Sequence, residues 1–130
     1  MKQRILIVED NPANLELLRD WLESEGFEVT SAENLAEGYA ALKGDLPHAL
    51  LLDVQLGSED GMELAVWIRK EPRLSDLPVI AVTAHAMITD QKRVMQAGCN
   101  ASVSKPIDFR VLRSQLDRWL GVAANLPPRA

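Results

Sequence analysis

Residues 49–53 read ALLLD, four consecutive apolar residues that end on a carboxylic acid. A short apolar run without alternation is typical of a strand covered on both faces, as in the middle of a parallel sheet. Three further short runs along the chain also stop at polar residues. They are ILIV at 5–8, PVIAV at 78–82 and ASVS at 101–104. We therefore predict that four strands of one sheet end in polar groups.

Segments with helical spacing separate these strands. Asn11-Pro12 is a helix-start signal, and leucines then recur along one helical face until Gly26. Further helices are predicted at 34–43, from Met62 to just before Pro72, at 87–97 and at 108–120, with a weaker, alternating strand at 27–30. Five strand–helix pairs joined by short loops indicate an α/β fold with a mostly parallel sheet and right-handed crossovers.

The chain of 130 residues suits one domain, expected over residues 1–121 with a short flexible tail at 122–130. A net charge of −5 argues against direct binding to nucleic acid or to an anionic membrane. A single cysteine, Cys99, excludes an intrachain disulfide and suits a reducing compartment. The sequence shows neither a signal peptide nor an apolar run long enough to span a bilayer, so we expect a cytoplasmic protein.

The polar residues at the strand ends form a complementary set. They are Glu9, Asp10, Asp53, Thr83 and Lys105. Open parallel sheets bind ligands beyond the carboxyl ends of their strands, so these residues are expected to converge on one crevice. Singly, each has an ordinary explanation as a cap, a turn residue or a surface charge. Four strands that all end in this set are hard to attribute to capping.

Carboxylates held close together resist simultaneous ionisation, and a hard divalent cation relieves that repulsion. Oxygen ligands of this type suit Mg²⁺. The remaining groups fit phosphoryl transfer: Asp53 as nucleophile, Lys105 neutralising charge on the transferred group, and the Thr83 hydroxyl donating to a phosphoryl oxygen. The set therefore predicts a Mg²⁺-dependent phosphoryl site.

These same residues carry a resemblance to the receiver domains of bacterial two-component response regulators. The resemblance covers residues 4–120 and rests on segments 5–11, 50–53, 60–61, 79–84 and 97–106. It is strongest to single-domain regulators of the cell-cycle type and to receivers of hybrid kinases, through residues 83–87 and 98–100. It implies a flavodoxin-like fold with helices on both faces of a five-stranded parallel sheet of order 2-1-3-4-5.

The resemblance also implies roles for individual residues. Asp53 would accept a phosphoryl group from a phosphohistidine on a histidine kinase or a phosphotransfer protein. Asp10 would bind Mg²⁺ directly, Glu9 mainly through water, and Gln55 through its backbone carbonyl. Thr83 would move toward the phosphoryl group and Lys105, preceding a cis proline, would pair with it.

The resemblance further implies two interaction surfaces. The first helix, from about Asn14 to Leu22, would receive the phosphodonor. The output face would extend from about Ala86 to Leu120 and bind a downstream protein, since no further module follows in this sequence. The chain would then catalyse only its own phosphorylation and dephosphorylation and would not otherwise be an enzyme.

Two positions depart from the family pattern. Ser102 stands where the family usually has tyrosine or phenylalanine, three residues before the lysine, so coupling from Thr83 to the following helix is expected to differ. Gly57 stands where proline is common after the phosphoacceptor, and we expect a more mobile loop there.

Three other functions are alternatives to this prediction. A Mg²⁺-dependent phosphatase typically needs an acid two positions after its nucleophile, where this chain has Gln55. A nucleotide- or flavin-binding module needs a glycine-rich first loop, whereas residues 9–12 are Glu-Asp-Asn-Pro. A degenerate receiver, acting as a phosphorylation-independent scaffold, is the main alternative, and Ser102 is the residue in its favour.

Overall fold

The computed structural model describes residues 2–84 and 88–121, apart from the side chains of residues 88 and 89. This part of the chain contains seven strands and five helices. They are Arg4–Val8 (β1), Pro12–Ser24 (α1), Glu28–Ala32 (β2), Leu35–Lys43 (α2), Ala49–Asp53 (β3), Gln55–Leu56 (β4), Glu59–Asp60 (β5), Met62–Lys70 (α3), Val79–Thr83 (β6), Ile88–Gln96 (α4), Ala101–Ser104 (β7) and Phe109–Leu120 (α5).

Five of the strands form one parallel sheet of order β2-β1-β3-β6-β7. Counted along the chain, this is the predicted order 2-1-3-4-5. The register places Asp53 beside Val82, and Thr83 beside Ser104. The carboxyl ends of β3, β6 and β7 therefore finish at nearly the same level, which brings their last side chains to one edge of the sheet.

The apolar runs are continuous because both faces of the sheet are buried. Leu50 and Leu52 belong to a core that packs against α2, α3 and α4. Ala49 and Leu51 belong to a second core, on the other face, which packs against α1 and α5. All of β3 is buried, including Asp53. The phosphoacceptor candidate thus stands at the end of a strand that is buried along its whole length.

Side-chain caps fix where the helices begin. The Asn11 side chain accepts hydrogen bonds from the backbone N–H groups of residues 13 and 14 at the start of α1, with Pro12 in the first turn. Asn34 and Asp108 cap α2 and α5 in the same way. These caps satisfy backbone donors that have no partner within the helix.

Two boundaries differ from the sequence prediction. Sequence analysis predicted no strand between β3 and α3, but β4 and β5 form a short antiparallel hairpin that pairs Gln55 with Asp60. A hairpin this short has no periodic signal. The second strand begins at Glu28 rather than Phe27, because Phe27 is buried in the core against α1 and α5 instead of pairing in the sheet.

Some predictions fall outside the described residues. These are the start of the fourth helix at residue 87, the start of the output face at residue 86 and the tail at 122–130. Within the part of the chain that is described, no helix is both long enough and apolar enough to cross a lipid bilayer.

Candidate functional site

The five predicted residues meet at the carboxyl edge of the sheet. Glu9 and Asp10 follow β1, Asp53 ends β3, Thr83 ends β6, and Lys105 follows β7. Glu9 is held by a backbone hydrogen bond to β2, from its own N–H to the Ala32 carbonyl. The Lys105 N–H donates to the Thr83 carbonyl at 2.8 Å. The peptide bond from Lys105 to Pro106 is cis, as the resemblance implied.

The Lys105 ammonium joins two buried carboxylates. Its Nζ lies 2.7 Å from Asp53 Oδ2 and 3.1 Å from Glu9 Oε1. Burial on its own would lower the pKa of Lys105, but the hydrogen bonds and charges of Asp53 and Glu9 outweigh it and raise the pKa. Lys105 therefore remains a cation across the physiological range.

The acids form a cluster with more negative charge than this lysine can neutralise. One oxygen from each of Glu9, Asp10 and Asp53 lies within 4.8 Å of the others. Glu9 is 2% exposed and Asp53 is 5% exposed, whereas Asp10 faces solvent. Burial, together with the Asp53 carboxylate, raises the pKa of Glu9 to about 7. The cluster favours an added positive charge, either a proton or a metal cation.

The hydrogen bonding of Glu9 is compatible with a metal cation. Glu9 Oε2 is buried without a hydrogen-bond partner among the described residues. Three carboxylates facing an open cleft, with one oxygen left unsatisfied, fit a hard divalent cation that takes oxygen ligands and retains water. These residues could therefore hold Mg²⁺.

The Asp53 side chain is held from both sides. Its Oδ1 accepts a hydrogen bond from the Gln55 N–H at 3.0 Å, while Oδ2 accepts from Lys105. The Gln55 backbone thus lies beside the acid cluster, and its predicted use as a carbonyl ligand stays a prediction. Sequence analysis missed the N–H contact because it depends on the turn geometry after β3.

Gly61 packs against the backbone of the phosphoacceptor candidate. A Cβ atom added to Gly61 would lie 2.0 Å from the Asp53 carbonyl oxygen. The Gly61 N–H also donates to the Val54 carbonyl at 2.7 Å. Residues 60 and 61 belong to the segments that resemble receiver domains. The structure explains the glycine at position 61, because any larger side chain would overlap the Asp53 backbone.

The site opens into a cleft of about 350 Å³. It is lined by Asp10, Asn11, Asn14, Asp53, Val54, Gln55, Gly57, Thr83, Ala84 and Lys105. Thr83 is 4% exposed and borders this cleft beside Asp53. The cleft gives a ligand access to the Asp53 carboxylate between the acids and the lysine.

Arg69 forms a network that sequence analysis did not predict. Its guanidinium donates to the carbonyl oxygens of Ser75, Leu77 and Gly98. It also donates to Asn100 Oδ1 at 2.7 Å, and the same oxygen accepts from the Val79 N–H. Arg69 thereby connects α3 to the start of β6 and to the turn before β7. A helical arginine reads as a surface charge in sequence, so no pattern signals this role.

The chain was compared with known protein families and curated proteins. The model of the response regulator receiver domain matches residues 5–117. The polar-differentiation response regulator DivK of Brucella anthropi is 37% identical over 123 residues, which cover 95% of this chain and 100% of that protein. The DivK of Brucella ovis is similar to the same extent.

Solved structures of the same type share the fold. The receiver domain of a sensor histidine kinase from Pseudomonas aeruginosa, which has a magnesium ion coordinated in its active-site cleft, matches with a TM-score of 0.85 and 33% identity. The match covers 93% of this chain and 99% of that one. A CheY-like receiver domain from Methanospirillum hungatei matches with a TM-score of 0.84 and 31% identity over 92% and 94% of the two chains.

Proposed function

This chain belongs to the response regulator receiver domain family, and from that membership we propose that Asp53 is its phosphoacceptor in a phosphorylation-operated switch. The observation that supports this most directly is the Lys105 bridge between Asp53 and Glu9 within the acid cluster. It holds the nucleophile, a neutralising cation and a set of candidate metal ligands around one cleft.

In the proposed transfer, a carboxylate oxygen of Asp53 forms a bond to phosphorus while the phosphorus–nitrogen bond of a phosphohistidine breaks. The electron pair of that bond leaves with the imidazole of the donor. Gln55 N–H and Lys105 orient the carboxylate before reaction, which lowers the entropic cost of the attack. Lys105 then stays beside the phosphoryl oxygens, where its charge offsets theirs.

Glu9, Asp10 and Asp53 would hold Mg²⁺, with the Gln55 carbonyl as a further ligand. When bound, the ion supplies positive charge against the phosphoryl oxygens and draws the carboxylates and the phosphodonor together. The Glu9 oxygen that lacks a hydrogen-bond partner among the described residues would gain an interaction with the ion or with its bound water.

Thr83 would couple phosphorylation of Asp53 to a conformational change at the protein surface. Its hydroxyl would donate to a phosphoryl oxygen, and the segment that follows β6 would move with it. We infer that a downstream protein reads this change on α4, β7 and α5. The donor would be a histidine kinase or a histidine phosphotransfer protein, docking near α1. A cytoplasmic location and the absence of any other catalytic activity stay predictions.

The proposal is tested with acetyl phosphate as a small phosphodonor. In the presence of Mg²⁺, the intact mass of the chain should rise by one phosphoryl group, and EDTA should prevent this rise. Asp53→Asn should abolish the modification while the protein stays folded by circular dichroism. A receiver used only as a scaffold would remain unmodified under all conditions, which would overturn the proposal.

A further inference from the structure

The outer side of α3 carries a shallow trough, which we call the α3 trough. It encloses about 560 Å³ between α3, α4 and the Tyr39 side chain of α2. The α3 residues that line it are Met62, Glu63, Val66, Trp67 and Lys70. The residues that line this trough are all different from those that line the Asp53 cleft. A molecule seated in the trough therefore leaves the phosphoacceptor accessible.

The middle of the α3 trough is apolar and partly exposed. Val66 is 41% exposed, whereas Met62 and Ile68 of the same helix are buried. Beside Val66, the Trp67 ring packs edge-on against Tyr39, with the ring centroids 5.0 Å apart, and both rings are only partly buried. Aromatic side chains held in this way add contact area at little entropic cost and are enriched where proteins associate.

Charged side chains mark the two ends of α3. Glu63 lies in its first turn and Lys70 is its last residue, and both are exposed. Neither forms an ion pair within the part of the chain that the structure describes. The other charged residues of the trough, Asp60 and Arg93, pair with each other. Glu63 and Lys70 are therefore the charges that the trough offers to a partner.

The spacing of these charges makes α3 complementary to itself. Glu63 and Lys70 are seven residues apart, about 10.5 Å along the helix axis, and lie on the same side of the helix as Val66 and Trp67. The midpoint between the two charges falls between Val66 and Trp67. When a second α3 lies antiparallel across the first, centred on this midpoint, each glutamate meets the lysine of the other copy. A parallel arrangement would instead bring like charges together.

From these observations we propose that the α3 trough is an interface between two copies of this chain, with their α3 helices antiparallel. A two-fold contact uses the same surface on both copies, so the pair of Glu63 with Lys70 forms twice, on either side of Val66. Because α3 has only nine residues, the buried area falls at the low end for specific interfaces. We therefore expect a weak dimer, with a dissociation constant on the order of 0.1 mM. The inference goes beyond the proposed function, since phosphoryl transfer to Asp53 does not require it.

Sedimentation equilibrium of the full chain tests the proposal over protein concentrations that bracket this constant. The weight-average mass of the wild type should rise from that of the monomer toward that of the dimer. Glu63→Lys and Lys70→Glu should each weaken the association by about fivefold or more, because each variant places like charges opposite each other. A wild-type chain that stays monomeric at every concentration would overturn the proposal.

Combining the two substitutions should restore the association. A mixture of Glu63→Lys with Lys70→Glu brings opposite charges together at both contacts, so it should form heterodimers with about the affinity of the wild type. The double variant Glu63→Lys with Lys70→Glu keeps the wild-type net charge and should associate with itself. A lack of association in either sample would contradict the antiparallel pairing.

The same mixture locates the interface. When ¹⁵N-labelled Glu63→Lys is titrated with unlabelled Lys70→Glu, the amide signals that shift in the NMR spectrum should centre on residues 39, 66, 67 and 70. Shifts confined to α1, β7 or α5 would place the contact elsewhere and overturn the proposal.

The matched control is Glu16→Lys, which changes the net charge as Glu63→Lys does. Glu16 is exposed on α1, which packs on the opposite face of the sheet from α3. Because the chain carries a net charge of −5, this variant reduces the repulsion between copies and should associate at least as well as the wild type. If Glu63→Lys associated as tightly as Glu16→Lys, net charge rather than the α3 contact would govern association, contrary to the proposal.

Discussion

Glu9 is the residue whose protonation is most strongly perturbed within the site. Its pKa is raised from 4.5 to about 7 by burial and by the neighbouring Asp53 carboxylate. In the absence of Mg²⁺, the folded chain then binds more protons than the unfolded chain between these two values. The stability that protonated Glu9 contributes is complete below the unfolded pKa and is lost as pH rises through about 7.

This linkage predicts a pH-dependent difference between the wild type and Glu9→Gln. In urea unfolding with EDTA, the variant should gain stability relative to the wild type from about pH 5 to about pH 8, on the order of 2 kcal/mol. Because groups distant from Glu9 titrate alike in both proteins, the difference reports Glu9 together with the side chains that interact with it. A difference that is constant with pH would contradict the assigned pKa. Added Mg²⁺ should stabilise the wild type more than the variant at the higher pH.

The structure explains why residue 61 is glycine, which the sequence alone does not. A Cβ atom added to Gly61 would lie 2.0 Å from the Asp53 carbonyl oxygen, and this overlap cannot be relieved without a backbone shift. Gly61→Ala should therefore lower the free energy of unfolding by about 2 kcal/mol or more and slow phosphorylation by acetyl phosphate.

The matched control for this variant is Gly44→Ala. An added Cβ on Gly44 meets only the Ala41 carbonyl oxygen, at 3.8 Å, and the residue has a negative φ of −91°. Urea unfolding and phosphorylation rates of the two variants should differ clearly. If Gly61→Ala were as stable and as reactive as Gly44→Ala, the close packing beneath Asp53 would be wrong.

At the residue scale, sequence predicted which side chains meet but not how they touch. Strand ends in a parallel sheet converge by topology, so Glu9, Asp53 and Lys105 could be placed together in advance. The Gln55 N–H bond to Asp53 and the packing of Gly61 depend on turn dihedrals, which side-chain spacing does not encode.

At the scale of elements, Arg69 connects parts of the fold that are distant in sequence. It joins α3 to the start of β6 and to the turn that leads into β7, and β7 in turn delivers Lys105 to the site. Burial lowers the pKa of Arg69, although the guanidinium stays charged. Its guanidinium donates to three backbone carbonyl groups and to the Asn100 side chain.

Removing the hydrogen bonds of Arg69 should therefore destabilise the fold. Arg69→Met should lower the free energy of unfolding by about 2–3 kcal/mol, because three partly buried acceptors lose their charged donor. The control is Arg73→Met: Arg73 is exposed and donates one weak bond, 3.3 Å, to Gly44. Urea unfolding of both variants measures the effect. Equal stability of the two would show that Arg69 is only a surface residue.

Strands with a continuous apolar run were predicted well, and strands without one were not. The continuous apolar runs of β1, β3 and β6 were placed to within a residue, because burial on both faces leaves a clear signal. The β4–β5 hairpin was missed, since two-residue strands carry no pattern. The predicted start of the second strand was one residue too early, because Phe27 packs in the hydrophobic core and does not pair in the sheet.

For the whole molecule, alternation of strands and helices was enough to predict a parallel sheet, but not the order of its strands. Several orders satisfy the same alternation, and the order β2-β1-β3-β6-β7 came from the resemblance to receiver domains. The structure also shows how that order serves the site. It places β1 beside β3 and β3 beside β6, so the acids and Thr83 lie on neighbouring strands.

The charge of the molecule is distributed unevenly across this sheet. The half that contains β1, β2, α1 and α2 is strongly acidic, while residues 67–130 hold ten of the 14 basic residues and five of the 19 acidic ones.

The most direct test of the account is the chemical identity of the modified residue. After incubation with acetyl phosphate and Mg²⁺, reduction with borohydride converts an aspartyl phosphate to homoserine, which peptide mass spectrometry locates. The account predicts homoserine at position 53, and none when Mg²⁺ or acetyl phosphate is omitted. Homoserine at position 10 instead, or an unmodified residue 53 in phosphorylated protein, would contradict it.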